Sequence, residues 1–591
     1  MIGRLSLLLA LAWLATAVAA APADAHALLE STTPERGAVL DTAPRQVVMR
    51  FSEAVELELG AVRVHDGAGR EVQQGAPFHP GRDDRAVAVR LRPGLPDDGY
   101  TATYRVISAD AHPVSGGFVF GVGKEAAGSS ATVADLLEGE GSGPVTSVAF
   151  AVVRALQFAA IALAVGALAV LILVWLPALA ALVVPEPAWR AASDAFAARW
   201  RKLLLGAAVI GLLSALLALP LQVATAEGAT FWSSIDDTRE VLDTRFGTVW
   251  GLGALAWLTV LGLGLARRAS VPAVRPATVG AAGVAVPRPG RSVAALALPL
   301  LWLACLPALG GHASVQEPVA ALLPANVLHV IAASAWIGGI AVLVFALPAA
   351  TRKLELPDRT RLLIAAMGRF SKLALISVAA LLTGGIVQSL LELGAVDDLL
   401  DTAYGRAILV KVILVAALIA VGAHNRRRTL PALARAAAES ESPGRAGVTL
   451  RRALRAEVAL GVAALAVTGA LAGYSPADTQ ATGPFAASAE IGPARAELTV
   501  EPAQAGPNEV HLYFFDRSDG TQWTAIKELT AATSLPSRDI APIELEPRKA
   551  GPGHYVIGGA ALAPAGDWTL QIVARVSDFD DFRTRFVVSI K

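Results

Sequence analysis

Ala23-Asp24-Ala25-His26 closes an apolar leader and decides on which side of a membrane the rest of the chain folds. The leader has a basic start at Arg4, an apolar run over Leu5–Ala20 and small residues before His26. This is the pattern of a secretory signal peptide. We therefore expect residues 1–25 to be removed, so that His26 becomes the first residue of an exported protein.

The composition is too apolar for a soluble protein of this length. Of 591 residues, 54% are hydrophobic and 17% are charged, which indicates membrane spans. The net charge is zero, so nothing favours nucleic acid as a partner. Cys305 is the single cysteine, which excludes a disulfide within the chain, and the three methionines offer few of the sulfur ligands that Cu(I) prefers.

Two segments have the alternation of β strands. In residues 26–123, Gln46–Phe51 and Ala86–Leu91 alternate between apolar and polar positions, and Gly-containing turns separate the runs. Short strands at this spacing predict a β-sandwich or barrel. Residues 490–591 repeat the pattern and predict a second β-sandwich. Its predicted strands are Leu498–Val500, Val510–Phe515, Thr569–Ala574 and Phe586–Ile590.

A Gly-, Ser- and Glu-rich linker at 124–146 leads into a predicted membrane domain at 147–476. We expect eight helices there, because eight apolar runs have about the 20 residues that a bilayer crossing needs. The runs are 147–176, 203–224, 247–266, 293–311, 322–348, 371–391, 406–424 and 456–474.

Basic residues mark alternate loops of this domain. The first such stretch includes Arg190 and Lys202, and the last includes Arg426–Arg428. The positive-inside rule places these stretches in the cytoplasm. Both β domains then lie on the outer side of the cytoplasmic (inner) membrane, as the signal peptide independently requires.

His26 suggests a metal site. Once it is the first residue, it offers its amine and its imidazole to one ion. Asp110 and His112 lie two residues apart, so on a strand both would point to the same face. The four donors would form the square plane that Cu(II) favours. Because the amine must lose its proton, and its reference pKa is about 8, we expect affinity to fall in acid.

The alternative for Asp110 and His112 is ordinary polar surface in a loop. His65 and His79 are isolated beside turn residues, which favours solvated histidines over further ligands. Met49 is alone and fits a core face, so we expect no Cu(I) site in this domain.

Three motifs of the outer domain resemble the CopC family of periplasmic copper proteins. They are His-Ala-x-Leu-x-x-Ser-x-Pro at 26–34, Phe51-Ser-Glu, and the run from Tyr104 to Gly116 that contains Ala-Asp-Ala-His-Pro. The resemblance implies a β-barrel with Cu(II) at His26, Asp110 and His112.

Polar residues inside apolar spans tend to have a function. Asn326, His329, Ala333 and Trp336 fall within an arc of about 80° on an α-helix. His312 ends the preceding span. We predict a copper relay at His312, His329 and Asn326, the alternative being histidines that cap helix ends. Gly338-Gly339 predicts close helix packing.

The membrane segment resembles the CopD family of copper-transport membrane proteins. The motifs include Thr244-Arg-Phe-Gly-Thr-Val-Trp, Gly311-His312, Asn326-x-x-His329 and Trp336-x-Gly-Gly. A CopC–CopD fusion is similar to the YcnJ-type proteins. The C-terminal segment resembles the YtkA-like domain through Gly506-Pro-Asn508 and Gly553-His-Tyr555.

Together these features predict a copper-binding membrane protein, not an enzyme, that captures Cu(II) outside the cell membrane and takes part in copper import, homeostasis and resistance. The expected partners are copper, the lipid bilayer and periplasmic copper chaperones, with no nucleic acid. Two alternatives stay open. One is a membrane-anchored copper sensor or buffer, and the other is an oxygen-activating copper enzyme, which the filled square plane disfavours.

Overall fold

The computed structural model describes residues 27, 29–36, 38–109, 111–123, 143–266, 291–316, 318–392, 398–438, 444–474, 485–501, 503–518 and 521–590. These form two compact units. The first is helical and holds the described residues of Pro144–Gln222 and Ser234–Ala477. The second is mostly β and holds those of Asp24–Gly143, Val223–Ser233 and Asp478–Lys591.

The N-terminal β domain is a sandwich of two four-stranded sheets, as predicted. The sheet orders are β1-β3-β6-β5 and β2-β8-β7-β4. The predicted strands Gln46–Phe51 and Ala86–Leu91 are confirmed. The eight strands are β1 Leu29–Thr33, β2 Val39–Leu40, β3 Gln46–Phe51, β4 Val55–His65, β5 Gln73–Phe78, β6 Ala86–Leu91, β7 Asp98–Ser108 and β8 Pro113–Val122.

The core of this sandwich follows from the alternation of β3. Val47, Met49 and Phe51 are all fully buried, and the Phe51 ring packs edge-on against Tyr104 of β7, with the ring centroids 5.4 Å apart. Burying such side chains contributes about 1.5–3 kcal/mol each. Met49 is therefore a core residue, as the sequence predicts.

The C-terminal β domain is a second sandwich. Its sheets have five and four strands, in the orders β14-β15-β11-β10-β9 and β13-β12-β16-β17. Leu512 and Phe514 of one sheet share a buried core with Ile572 and Val588 of the other. The strands are β9 Phe485–Ile491, β10 Ala494–Glu501, β11 Gly506–Asp516, β12 Glu528–Leu535, β13 Ile540–Leu545, β14 Arg548–Gly551, β15 His554–Leu562, β16 Gly566–Arg575 and β17 Asp581–Ile590.

The helical unit contains seven helices long and apolar enough to cross a membrane, within the described residues. A shorter apolar helix occupies the place of the predicted fourth span. In chain order they are α1 Pro144–Ala180, α2 Glu186–Glu227, α3 Arg245–Ala266, α4 Ala297–Leu309, α5 Val319–Thr351, α6 Leu356–Leu391, α7 Ala403–Ala436 and α8 Gly444–Leu471. Four-residue helices also form at Thr238–Val241, Arg291–Ala294 and Asp398–Asp401.

The short fourth helix continues an earlier turn. Arg291–Ala294 leads into α4, and the amide of Leu296 donates to the carbonyl of Val293 across the junction. The two pieces together cover 291–309, about the number of residues that a bilayer crossing needs.

Helices run on through the basic stretches that the sequence assigned to loops. Arg190 and Lys202 both lie within α2, which has 42 residues. At 1.5 Å per residue, α2 is about 60 Å long, twice the hydrocarbon thickness of a bilayer. Arg426–Arg428 likewise lie inside α7. These loop assignments are wrong because charged residues extend a helix readily once it leaves the apolar layer.

Three of the helices contain a π-helical stretch. These are Val170–Trp175 in α1, Ser334–Gly338 in α5 and Asn425–Thr429 in α7. The α5 stretch lies at a close approach of α1 and α5, since a Cβ on Gly338 would stand 1.8 Å from the Ala162 carbonyl oxygen. The predicted close packing at Gly338 is confirmed.

Candidate metal centre

His112 lies in the turn of the β7–β8 hairpin. The strand geometry predicted for His112 is wrong, because β7 ends at Ser108 and β8 begins at Pro113. The turn is closed by Ser108, whose amide donates to the His112 carbonyl at 2.9 Å. The Ser108 hydroxyl donates to the same oxygen at 2.9 Å. These bonds fix the backbone of His112, and both of its ring nitrogens are shielded from solvent.

Ala111 adopts a left-handed conformation, with φ of 71°. A non-glycine residue in this region carries a cost of about 1–2 kcal/mol. Such outliers concentrate at functional sites, where the surrounding structure enforces them. The amide of Ala111 donates to the Ser108 carbonyl at 2.8 Å, so the strained residue is held inside the closed turn.

Strand register brings three separate stretches to this end of the sandwich. Leu29, near the start of the first strand, pairs with Phe51 at the end of β3. Val55, at the start of β4, pairs with Ser108 at the end of β7. Glu53 lies in the short connection between Phe51 and Val55, and one of its carboxylate oxygens is shielded from solvent. The first strand, the Glu53 turn and the His112 turn therefore share one end.

The predicted ligands His26 and Asp110 lie outside the described residues. Among the described ones, no three His, Cys, Asp or Glu side chains form a group that could hold a metal ion. His65 is buried at the end of β4, so the expectation of a solvated histidine is wrong there. The His79 Nδ1 atom lies 2.8 Å from the Ala86 carbonyl oxygen.

Glu501 of the C-terminal sandwich reaches the hairpin that carries His112. Both of its carboxylate oxygens lie 3.4 Å from the Gly117 amide, which donates to them. The Tyr104 side chain also hydrogen-bonds to this carboxylate. Glu501 is buried, and burial raises the pKa of its carboxyl to about 7. The two β domains thus meet through a carboxyl that titrates near neutral pH.

In the helical unit, His329 lies on α5 against a pair of glycines in α6. A Cβ added to Gly384 would stand 3.4 Å from the His329 Cβ, and one added to Gly385 would stand 3.6 Å from the His329 Cε1. One turn away, the Asn326 amide donates to the Gln388 side-chain oxygen at 3.4 Å. Asn326 and His329 therefore share one seam between α5 and α6, as the sequence spacing predicts.

Trp336 lies in the π-helical stretch Ser334–Gly338 of α5. It lines a cavity of about 260 Å³ together with Phe370 of α6, Asn425 and Glu457, so it too lies against α6. The Asn425 amide donates to the Glu457 carboxylate at 2.7 Å.

His312 begins a short 3-10 turn, His312–Ser314, between α4 and α5. The Ser314 hydroxyl of this turn accepts a hydrogen bond from Arg245 at 2.7 Å. Cys305 lies in α4 and is half-buried. His312 thus stands at the end of one apolar helix, whereas His329 lies about 15 Å along the next.

Family models match three segments of the chain. A CopC domain matches residues 29–123, a copper resistance protein D-like N-terminal domain matches 145–286, and copper resistance protein D matches 364–471. The chain joins a CopC domain to a copper resistance protein D domain. This confirms the fusion that the sequence motifs indicate.

Several known proteins are similar to the chain. Copper transport protein CutJ of Bacillus subtilis is 27% identical over 574 residues, covering 95% of each chain. Copper resistance protein D of Pseudomonas syringae pv. tomato is 26% identical over 282 residues, which is 47% of this chain and 84% of the relative. The crystal structure of CopC from Methylosinus trichosporium OB3b is 26% identical, covers 16% of this chain and 93% of its own, and has a TM-score of 0.16.

These findings and the apolar helices make the chain a multi-pass membrane protein similar to copper transport and resistance proteins. The relatives carry names of transport and resistance proteins rather than of enzymes.

Sequence reasoning assigned Glu53, Gln388 and Glu501 no place at the predicted sites. Gln388 could have been recognised as the partner of Asn326, since a buried amide needs a polar partner within the apolar layer.

Proposed function

We propose that the chain captures Cu(II) outside the cytoplasmic membrane and passes it to the membrane helices for import. The ligands are the amine and imidazole of His26, the carboxylate of Asp110 and the imidazole of His112, with Glu53 as a neighbouring carboxylate. The supporting observation is the strand register, which puts the first strand and the His112 turn at one end of the sandwich. Nitrogen and oxygen donors in a plane suit Cu(II) rather than Cu(I).

The relay in the helical unit consists of His312, Asn326 and His329, joined by Gln388. Two observations support the relay. The Asn326–Gln388 hydrogen bond places polar groups within the apolar seam between α5 and α6, and the glycines beside His329 leave space there. Both β domains lie on the outer side, where periplasmic copper chaperones can reach them.

Copper uptake into right-side-out vesicles tests this proposal. We expect the wild-type chain to accumulate copper, and we expect His112→Ala to lose tight Cu(II) binding and most uptake at low external copper. His79→Ala is the matched control, since His79 lies in the same domain and contacts the Ala86 carbonyl.

A second comparison separates capture from transport. His329→Ala should leave Cu(II) binding by the outer domain intact and lower the flux. Tight Cu(II) binding with no flux in the wild-type chain would instead identify a membrane-anchored copper sensor or buffer. N-terminal sequencing that finds a first residue other than His26 would remove the chelate on which the outer site depends.

A further inference from the structure

The C-terminal sandwich contains a buried polar cluster on the face of β10, β11 and β15 that points away from its core. We call Glu509, His511 and His554 the histidine cluster. Each member is at least 97% buried. Alternation along β11 puts His511 opposite to the core residues Val510 and Leu512, so a face that should meet water is enclosed.

The two imidazoles of the cluster point at each other. His511 Nδ1 lies 3.3 Å from His554 Nε2. The ring centroids are 5.6 Å apart, and the ring planes differ by 20°. This centroid separation equals the nitrogen gap plus one ring radius at each end, so the two nitrogens lie on the line between the rings. When the protons of both rings are on their other nitrogens, the two lone pairs converge on one point.

The outer nitrogen of His511 faces a carboxylate. His511 Nε2 lies 3.2 Å from Glu509 Oε1, and neither this nitrogen nor either Glu509 oxygen has a hydrogen bond within the described residues. A carboxylate behind the second nitrogen of an imidazole is the usual support of a metal-ligating histidine, because it fixes the tautomer and the ring orientation. His554 is held by Tyr513, whose ring stacks on it with the centroids 4.2 Å apart.

We propose that His511 Nδ1 and His554 Nε2 bind Cu(I) in a nearly straight line. With metal–nitrogen bonds of about 2.0 Å, such a site spans about 4 Å, so the rings must separate by about 0.7 Å. A two-coordinate arrangement suits the closed-shell Cu(I) ion. Zn(II) requires four donors and Cu(II) a tetragonal set, and no three candidate ligands form a group among the described residues.

Charge also favours a monovalent ion. Burying a net charge is costly unless a partner compensates it. Glu509 supplies one negative charge beside His511, which balances Cu(I) and leaves a divalent ion with an excess positive charge.

A cleft runs from the start of the N-terminal domain to Glu509 of the cluster. It has a volume of about 1000 Å³, and its lining includes Ala27, Tyr104, Glu501 and Glu509. Ala27 follows His26 in the sequence, and Glu509 contacts His511. The cleft therefore reaches from the first strand to the carboxylate that supports His511, and both carboxylates and the guanidinium groups of Arg36 and Arg548 line it.

The test is an anaerobic titration of the full-length protein with Cu(I) against a chromophoric Cu(I) chelator. We expect His511→Asn and His554→Asn each to bind one Cu(I) fewer than the wild-type chain. Glu509→Gln should keep the stoichiometry but weaken the binding by about 10–100-fold, as the loss of a supporting carboxylate does. His79→Asn is the matched control and should bind like wild type.

X-ray absorption of the wild-type Cu(I) complex makes the test independent of whether the variants fold. We expect the edge feature of two-coordinate copper, with nitrogen neighbours only. If the wild-type chain and both histidine variants bind equal amounts of Cu(I), the site does not exist, and the two rings share only a proton. Tighter binding of Zn(II) than of Cu(I) to the cluster would refute the monovalent assignment. Neither result bears on Cu(II) capture by His26 and His112.

Discussion

Glu501 makes the contact between the β domains dependent on pH. Its carboxyl has a pKa of about 7 in the folded protein against an ordinary value of 4.5, and burial is the main cause. The folded state therefore binds the Glu501 proton more tightly than the unfolded state does. Its contribution to stability is complete below pH 4.5 and is lost as the pH rises through 7.

The size of the effect follows from these two values. At about 1.4 kcal/mol per pKa unit, the difference corresponds to about 3 kcal/mol in full. Between pH 5 and pH 8 the wild-type chain should lose about 2.5 kcal/mol from this group alone. Glu501→Gln is neutral throughout and keeps an oxygen that accepts from the Gly117 amide. The variant should therefore gain about 2.5 kcal/mol relative to wild type over this range.

Hydrogen-exchange mass spectrometry measures this gain locally. Opening free energies are determined for peptides that cover β8 and β10 at pH 5 and pH 8, after correction for intrinsic exchange rates. Glu497→Gln is the matched control, because Glu497 lies on the same strand and pairs with Arg495 at 2.6 Å. His554, whose pKa burial lowers well below its ordinary value, is common to both proteins and cancels in the difference. An equal Glu501→Gln effect at both pH values would refute the reasoning.

Three further changes test the turn, the helix crossing and the polar seam. Ala111→Gly removes the strain at φ 71° but also raises the entropy of the unfolded chain. The two effects oppose each other, so the free energy of unfolding should change by less than about 1 kcal/mol. A Cu(II) titration of the same variant should show weaker binding. Gly338→Ala places a Cβ 1.8 Å from a backbone oxygen of α1 and should lower the free energy of unfolding by about 1–3 kcal/mol in a thermal unfolding assay. Gly206→Ala is the control and should not lower it, because a Cβ there meets no atom within 4 Å. Gln388→Leu leaves the Asn326 amide facing an apolar side chain and should lower copper flux in vesicles without changing Cu(II) binding by the outer domain.

The sandwich architecture was predictable because alternation along a strand is a local property. The six residues Gln46–Phe51 show it, because Val47, Met49 and Phe51 share one face and all three are buried. The turn that contains Ala111 and His112 was not predictable in the same way. A residue in the left-handed conformation is usually Gly or Asn, whereas here it is Ala111. The sequence therefore favoured an extended strand.

Helix lengths were underestimated for a related reason. An apolar run indicates the part of a helix that lies in the lipid, but it does not indicate where the helix ends. α2 begins at Glu186, well before the predicted 203, because the basic residues between them are good helix formers. The π-helical stretch at Ser334–Gly338 also has no local signal in the sequence.

The histidine cluster shows what a single strand cannot reveal. Along β11 the alternation of Val510 and Leu512 with His511 and Tyr513 is plain in the sequence, and it favours water on the polar side. His554 is 43 residues away and joins His511 only through the register of β11 with β15. Enclosing these polar groups costs free energy that an apolar face would not. An ion bound between His511 and His554 would offset part of this cost.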